Sequence, residues 1–168
     1  MLTLDEQANW FQYLSPWQRD LVATSYTLSQ KFDHDSEILD FSFIIFPMAK
    51  AYEGFLKKML LDLALITEHT YQSRRFRIGR ALNPDIRHNQ RDAWWLYDDV
   101  ELKLGKEVAR AVWQAWLKCR NHIFHFFPNG ERHTDYSEAE ACLRRMELVI
   151  SQVADKIKDI NRTKNDES

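Results

Sequence analysis

Arg120, Asn121, His122 and His125 fall within six consecutive positions shortly before Pro128. A guanidinium binds phosphate or carboxylate oxygens two at a time, and an imidazole, with a reference pKa of about 6.5, gives and takes a proton at neutral pH. Together they suit chemistry at a phosphate ester, where negative charge builds and protons move. The surrounding pattern predicts a long amphipathic helix over about 99–127, stopped by Pro128. At about 100° per residue, Asn121 and His125 are i,i+4 neighbours, and Arg120 lies about 140° from His125 around the axis. Val112, Trp113, Trp116, Leu117, Ile123, Phe124 and Phe127 form one apolar arc, and Arg120 falls inside it. A guanidinium there needs an anionic or hydrogen-bonding partner, whether a carboxylate from another helix, a second subunit or a substrate phosphate. The plainer alternative also stands: a structural Arg–carboxylate pair, with His122 and His125 capping the last carbonyls of the helix.

Other chemistries find less in the sequence. No Gly-rich phosphate loop, zinc pattern or Gly-x-Ser-x-Gly elbow is present. His122 and His125 at i,i+3 lack a third ligand, so no metal and no cofactor is expected. Cys119 and Cys142 are too few to staple a fold and read as packing residues. No targeting or membrane-spanning segment is read, so the expected setting is a reducing cytoplasm without membrane contact. The net charge of −2 and pI of about 6.3 argue against a general nucleic-acid binder, so any RNA contact must be local. Residues 74–91 carry Arg74, Arg75, Arg77, Arg80, Arg87 and Arg91 against Asp85, which makes Arg74, Arg75, Arg77 and Arg80 the candidate substrate-binding cations. The competing reading pairs these arginines with the acids of 92–101.

The elements that must position these groups follow from periodicity and punctuation. At 168 residues, with four Gly and four Pro, the chain is expected to form one all-α domain of long helices. Thr3 with Glu6 predicts a first helix to about Leu14, and Ser15-Pro16 caps a second reaching about Phe32. These two, within residues 1–35, read as an N-terminal addition to a core bundle over 36–160, with 161–168 a frayed tail. Residues 37–66 predict a central, largely buried helix kinked at Pro47, with Glu53 on its edge between Lys50 and Lys57. By spacing alone Glu53 is a solvated Glu–Lys pair. Residues 67–89 predict a loop with short helical turns, and 91–97 a short aromatic helix whose Trp94 and Trp95 go to the core. Asp98 and Asp99 suit the start of the long helix, and Ser137 with Glu140 boxes a last helix to about Ile160 on Ala141, Leu143, Met146, Val149, Ile150 and Val153.

Arg120-Asn121-His122-Ile123-Phe124-His125 resembles the Arg-polar-x-x-x-His signature of the HEPN superfamily, and its placement late on a long helix of an all-helical chain is similar too. Ala51-Tyr52-Glu53-Gly54-Phe55-Leu56-Lys57-Lys58 and Phe76-Arg77-Ile78-Gly79 look most like the HEPN domain of bacterial RNase LS-type toxins, over roughly residues 36–155. The resemblance implies a HEPN-like helical bundle and a homodimer in which two copies of the motif face one cleft. It also implies metal-independent cleavage of RNA to a 2′,3′-cyclic phosphate and a 5′-hydroxyl, and a functional glutamate at the position of Glu53. On that basis His125 transfers the proton, Arg120 holds the phosphate, Asn121 orients His125 or the phosphate, and Glu53 positions Arg120 or shares the acid–base work. The expected role is the toxin or effector of a toxin–antitoxin or phage-defence system, with an antitoxin or inhibitor protein as a further partner. In the RNase LS-type toxins the domain follows further domains that this sequence does not include, which leaves the regulator open. Two alternatives remain: a non-catalytic HEPN-like module binding a nucleotide, RNA or partner protein, and a purely structural dimerising bundle.

Overall fold

A computed structural model describes residues 2–33, 35–126, 128 and 132–166, with side chains to residue 163. Phe127, assigned above to the apolar arc, lies outside the described residues, as do 129–131 of the following loop and 167–168 of the tail. Among the described residues every regular element is helical and there is no strand. None of these helices is long and apolar enough to cross a membrane.

Short polar side chains decide where the first three helices begin. The Thr3 box does not open the chain; Asp5 accepts from the Gln7 N–H at 2.9 Å and holds a turn, so α1 is only Asn9–Tyr13. α2, Pro16–Lys31, starts as predicted, with Ser15 and Gln18 exchanging hydrogen bonds and Pro16 in the first turn. α3 is Ser42–Asp62 and not 37–66. Asp35 and Asp40 accept from the Glu37 and Ser42 N–H groups at 3.0 and 2.8 Å, turning the chain through the stretch expected to be helical. Pro47 does lie inside α3, and the neighbouring Met48 N–H donates to Ser25 Oγ of α2 at 2.9 Å. A side chain of the packed helix thus serves a backbone donor beside the proline. At the other end Ala64 takes a left-handed conformation (φ 56°), with Leu65 N–H on the Leu60 carbonyl and Ala64 N–H on that of Leu61. These two bonds close α3 with a Schellman motif built on alanine.

Residues 67–90 are a loop with short turns, as the sequence predicts: α4 (Glu68–Gln72), α5 (Ile78–Ala81) and a 3₁₀ turn at His88–Gln90. The predicted aromatic helix over 91–97 is absent. Asp92 accepts from the Trp94 N–H and Leu96 N–H bonds the Ala81 carbonyl at 2.8 Å, so this stretch wraps α5. Nor do its tryptophans enter the core. Trp94 is 42% exposed, and Trp95 donates to the Asn83 carbonyl at 2.8 Å.

The predicted long helix is divided. α6 (Tyr97–Leu104) ends and α7 (Lys106–Trp116) begins at Gly105, whose φ of 88° is available to glycine at little cost. Asp98 and Asp99 occupy the first turn of α6, where they complement the helix dipole, but neither side chain caps it. α7 passes into a π-helical turn, Leu117–Asn121, and a final short turn α8, His122–Phe124. α9 runs Tyr136–Asp166, beyond the predicted end near residue 160. Its start is capped by Asp135, which accepts from the Glu138 N–H at 2.7 Å, and not by Ser137. Ala141 is exposed, while Ala139 and Cys142 are buried.

α3 runs through the middle, packed against α2 and α9, with α1 and α7 also on α9. Tyr13 donates to Asp62 and Tyr26 to Glu147, tying α1 to α3 and α2 to α9. Trp10, Leu14 and Val22 share one continuous core with Tyr52, Phe55, Trp113 and Met146.

Candidate functional site

On α3, Phe46, Ala49, Lys50 and Glu53 stand at i, i+3, i+4 and i+7, and so form a single stripe about 10 Å long. Opposite the stripe are Arg120 from the π-helical turn and Phe124 from α8, and these six residues line a groove of about 230 Å³. Arg120 Nη2 lies 3.9 Å from Glu53 Oε2 and Arg120 Nη1 lies 3.5 Å from His125 Nε2. The guanidinium carbon is 4.9 Å from the ring centre of Trp116, a cation–π support from a buried indole. Phe46 and Phe124 meet edge to face with ring centres 5.6 Å apart.

Three local features aim these groups. Tyr52, next to Glu53 and fully buried, donates to the Val112 carbonyl at 3.0 Å and clamps α3 to α7 just before the π-helical turn. That turn adds a residue to the helical period, so positions after it are rotated from where an α-helix would place them. The helix then stops at Phe124, and His125 is extended (φ −104°, ψ 131°), so its imidazole folds back beside Arg120 and not along the helix axis. Below them Gly79 of α5 lies against Trp116: a Cβ at Gly79 would sit 2.9 Å from the indole Nε1.

Glu53, Arg120 and His125 are therefore brought together. Arg120 is not a buried charge; its side chain is 33% exposed against 41% for Glu53, and the pair is partly solvated. The i,i+4 placement of Asn121 and His125 does not survive the end of the helix, and among the described residues the Asn121 amide has no hydrogen bond to His125. His122 and His125 are both exposed and neither lines the groove itself; His125 differs in reaching Arg120, whereas His122 has no such contact among the described residues. Cys119 is buried, and its hydrogen bond with Cys142, together with burial, pushes its thiol well above the ordinary range, which suits packing and not nucleophilic attack. Among the described residues no three His, Cys, Asp or Glu side chains gather as a metal-binding set.

The arginine segment divides. Arg80 is committed to structure: it holds Asp92 through Nε at 3.2 Å and Nη2 at 2.8 Å, and donates to the Gln90 carbonyl. The same contact, helped by the Trp94 N–H, holds the Asp92 carboxyl below its usual range. Arg91 stacks on Trp95 at 3.7 Å and faces Asp98 at 3.8 Å. Arg77 donates to the Arg74 carbonyl, while Arg74 and Arg75 are exposed with no side-chain ion pair among the described residues. Lys57, one helical turn beyond Glu53, donates to the Ser73 carbonyl at 3.4 Å and ties the start of this segment to the same helix. The sequence did not point to Phe46, which is 57% exposed at the groove although most large apolar residues of its helix are buried. Its position seven residues before Glu53 was the available signal.

Comparison of the chain with protein-family models, with curated proteins and with solved structures finds no match. What the site can do rests on its own groups: a cation for an anion, with an imidazole at hydrogen-bond reach of that cation and a carboxylate facing it.

Proposed function

We propose that the chain is a metal-independent endoribonuclease of the HEPN type. The observation that carries this reading is the meeting of one groove-lining guanidinium with both an imidazole and a carboxylate: Arg120 with His125 at 3.5 Å and Glu53 at 3.9 Å. The substrate's 2′-oxygen forms a bond to the adjacent phosphorus as its proton leaves to a base, and the bond from phosphorus to the 5′-oxygen breaks as that oxygen gains a proton. His125 is the group for proton transfer, and Arg120 neutralises the charge that builds on the non-bridging oxygens. Glu53 keeps Arg120 directed into the groove in the absence of RNA. A homodimer, and an antitoxin or inhibitor protein controlling a toxin or defence activity, belong to the same proposal through the resemblance of Arg120, Asn121 and His125 to the family motif.

Purified protein incubated with labelled RNA in EDTA tests it. Cleavage to 2′,3′-cyclic phosphate ends is expected, and both His125→Ala and Arg120→Ala should abolish it while the far-ultraviolet dichroism stays helical. Activity retained in either variant removes the assignment, and activity that requires added Mg²⁺ or Mn²⁺ removes the metal-independent mechanism. The non-catalytic alternative draws on the same Arg120–Glu53 contact, read as a resting ion pair that a bound nucleotide or RNA displaces. It predicts binding without cleavage in the same assay.

A further inference from the structure

The groove holds more than Glu53 and Arg120, and this inference rests on the ribonuclease reading and deepens it. Phe46 exposes more than half of its surface on a helix whose other large apolar residues at 44, 45, 48, 52, 55 and 56 are fully buried. Nothing in the core asks for an aromatic ring there. Phe124 meets it edge to face, with the ring planes at 86°, which braces Phe46 in position. One turn further along α3, the Lys50 ammonium lies 4.8 Å from the ring centre of Trp17, itself 59% exposed, and so has a preferred position at the groove rather than a free sweep through solvent. Arg120 closes the other side.

The row therefore sets an open aromatic ring at one end and cations beyond it, Lys50 one turn along and Arg120 across from the stripe beside Glu53. A nucleotide has the complementary pattern, a flat π-face next to phosphates. The size agrees: about 230 Å³ is smaller than the sites that enclose drug-sized ligands and suits a single flat ring. Against a second copy of the chain as the occupant stands the polarity of the groove, where Lys50, Glu53 and Arg120 are half of the lining. The core of a subunit interface is depleted in charge.

We propose that Phe46, braced by Phe124, is the stacking platform for an unpaired base of the RNA next to the scissile phosphate, and that Lys50, steadied by Trp17, takes the flanking phosphate. Stacking is tolerant of base identity, so this subsite selects for single-stranded over paired RNA and not for a sequence.

The test uses the full chain carrying His125→Ala, to prevent cleavage, and short fluorescein-labelled oligoribonucleotides, intact or with one abasic ribose placed at each position in turn. Phe46→Ala should weaken binding of the intact oligonucleotide by about 5- to 150-fold, and Phe46→Tyr should restore it. With the abasic ribose at one particular position, the Phe46→Ala penalty should largely vanish, because ring and base have the same interaction to lose. Lys50→Ala should reduce the slope of log affinity against log salt by about 0.7. An equal Phe46→Ala penalty on intact and abasic oligonucleotides at every position would overturn the platform. So would a loss of binding that tracks dissociation of a dimer in sedimentation, which gives the ring to a second copy of the chain. If the parent chain binds none of the oligonucleotides, the ribonuclease reading fails along with this one. If it binds them and Phe46→Ala changes nothing, only the platform fails.

Discussion

Glu53 shows how far one residue can be read before its neighbours are known. Spacing predicted a solvated partner for Lys50 or Lys57, yet its carboxylate faces Arg120 while Lys50 turns to Trp17 and Lys57 to the Ser73 carbonyl. Local i,i+4 pairing is worth only a few tenths of a kcal/mol, so tertiary partners outbid it. Because the Glu53–Arg120 pair is partly exposed, Glu53→Gln should change stability by less than about 1 kcal/mol in urea unfolding. On the proposed function, the same substitution releases Arg120 from its position at the groove and should lower single-turnover cleavage by about 100-fold. Unchanged cleavage would reduce the pair to a surface contact. Arg120, Asn121 and His125 were legible as a group because they are adjacent in sequence. Phe46 was not, since an exposed aromatic on a buried helix looks like any other core residue until the packing is seen.

At the scale of elements, helices were legible and several of their ends were not. α2 began where Ser15, Pro16 and Gln18 said it would, because all three signals act within one turn of chain. α3 ended early without a glycine to announce it: Ala64 carries the left-handed conformation that closes the Schellman motif. An L-residue with a Cβ is strained there, so Ala64→Gly should stabilise the protein by about 1 kcal/mol and raise Tm, in contrast to the loss expected of glycine inside a helix. A fall in Tm would show that the strain is relieved elsewhere. Gly105 was the opposite case, a visible glycine inside a helical pattern that turned out to be a break. A single glycine in a periodic stretch is often tolerated, so only its φ could decide.

Two features belong to the whole molecule. The first is the distribution of cations that the proposed activity would need in order to bring RNA to an acidic chain. With Arg80 and Arg91 held by Asp92 and Asp98, that segment leaves the exposed Arg87 and a cluster of three cations at its start, Arg74, Arg75 and Arg77. Reversing these three charges should weaken RNA binding and flatten its salt dependence while leaving the chemical step at saturating RNA nearly unchanged. An unchanged affinity and salt slope would assign the segment to structure. The second is the set of phenols that ties the helices together. Burial first, and then hydrogen bonds to Asp62 and Glu147, raise Tyr13 and Tyr26 far above the ordinary range, and burial raises Tyr52. A raised folded-state value means that the contribution is fully present below about pH 10, where the unfolded phenols are still neutral, and is lost as pH rises further. The urea midpoint should therefore fall steeply above pH 10, and the double variant Tyr13→Phe with Tyr26→Phe should fall less steeply over the same range. Parallel declines in the two proteins would mean that other groups set the alkaline limit.

Composition and periodicity were enough to determine an all-helical chain with α3 as its apolar centre, since burying an amphipathic stripe depends on residue type and spacing alone. They also placed an arginine, an amide and a histidine at the end of one helical run. Which of these meet was left to the tertiary structure. The π-helical turn shifts the register at Arg120, the helix stops before His125, which folds back to Arg120, and Tyr52 sets α3 against α7 so that Glu53 faces Arg120. A projection that assumes a fixed angle per residue cannot anticipate a change in that angle, and no pattern along one helix names the helix that will lie across from it.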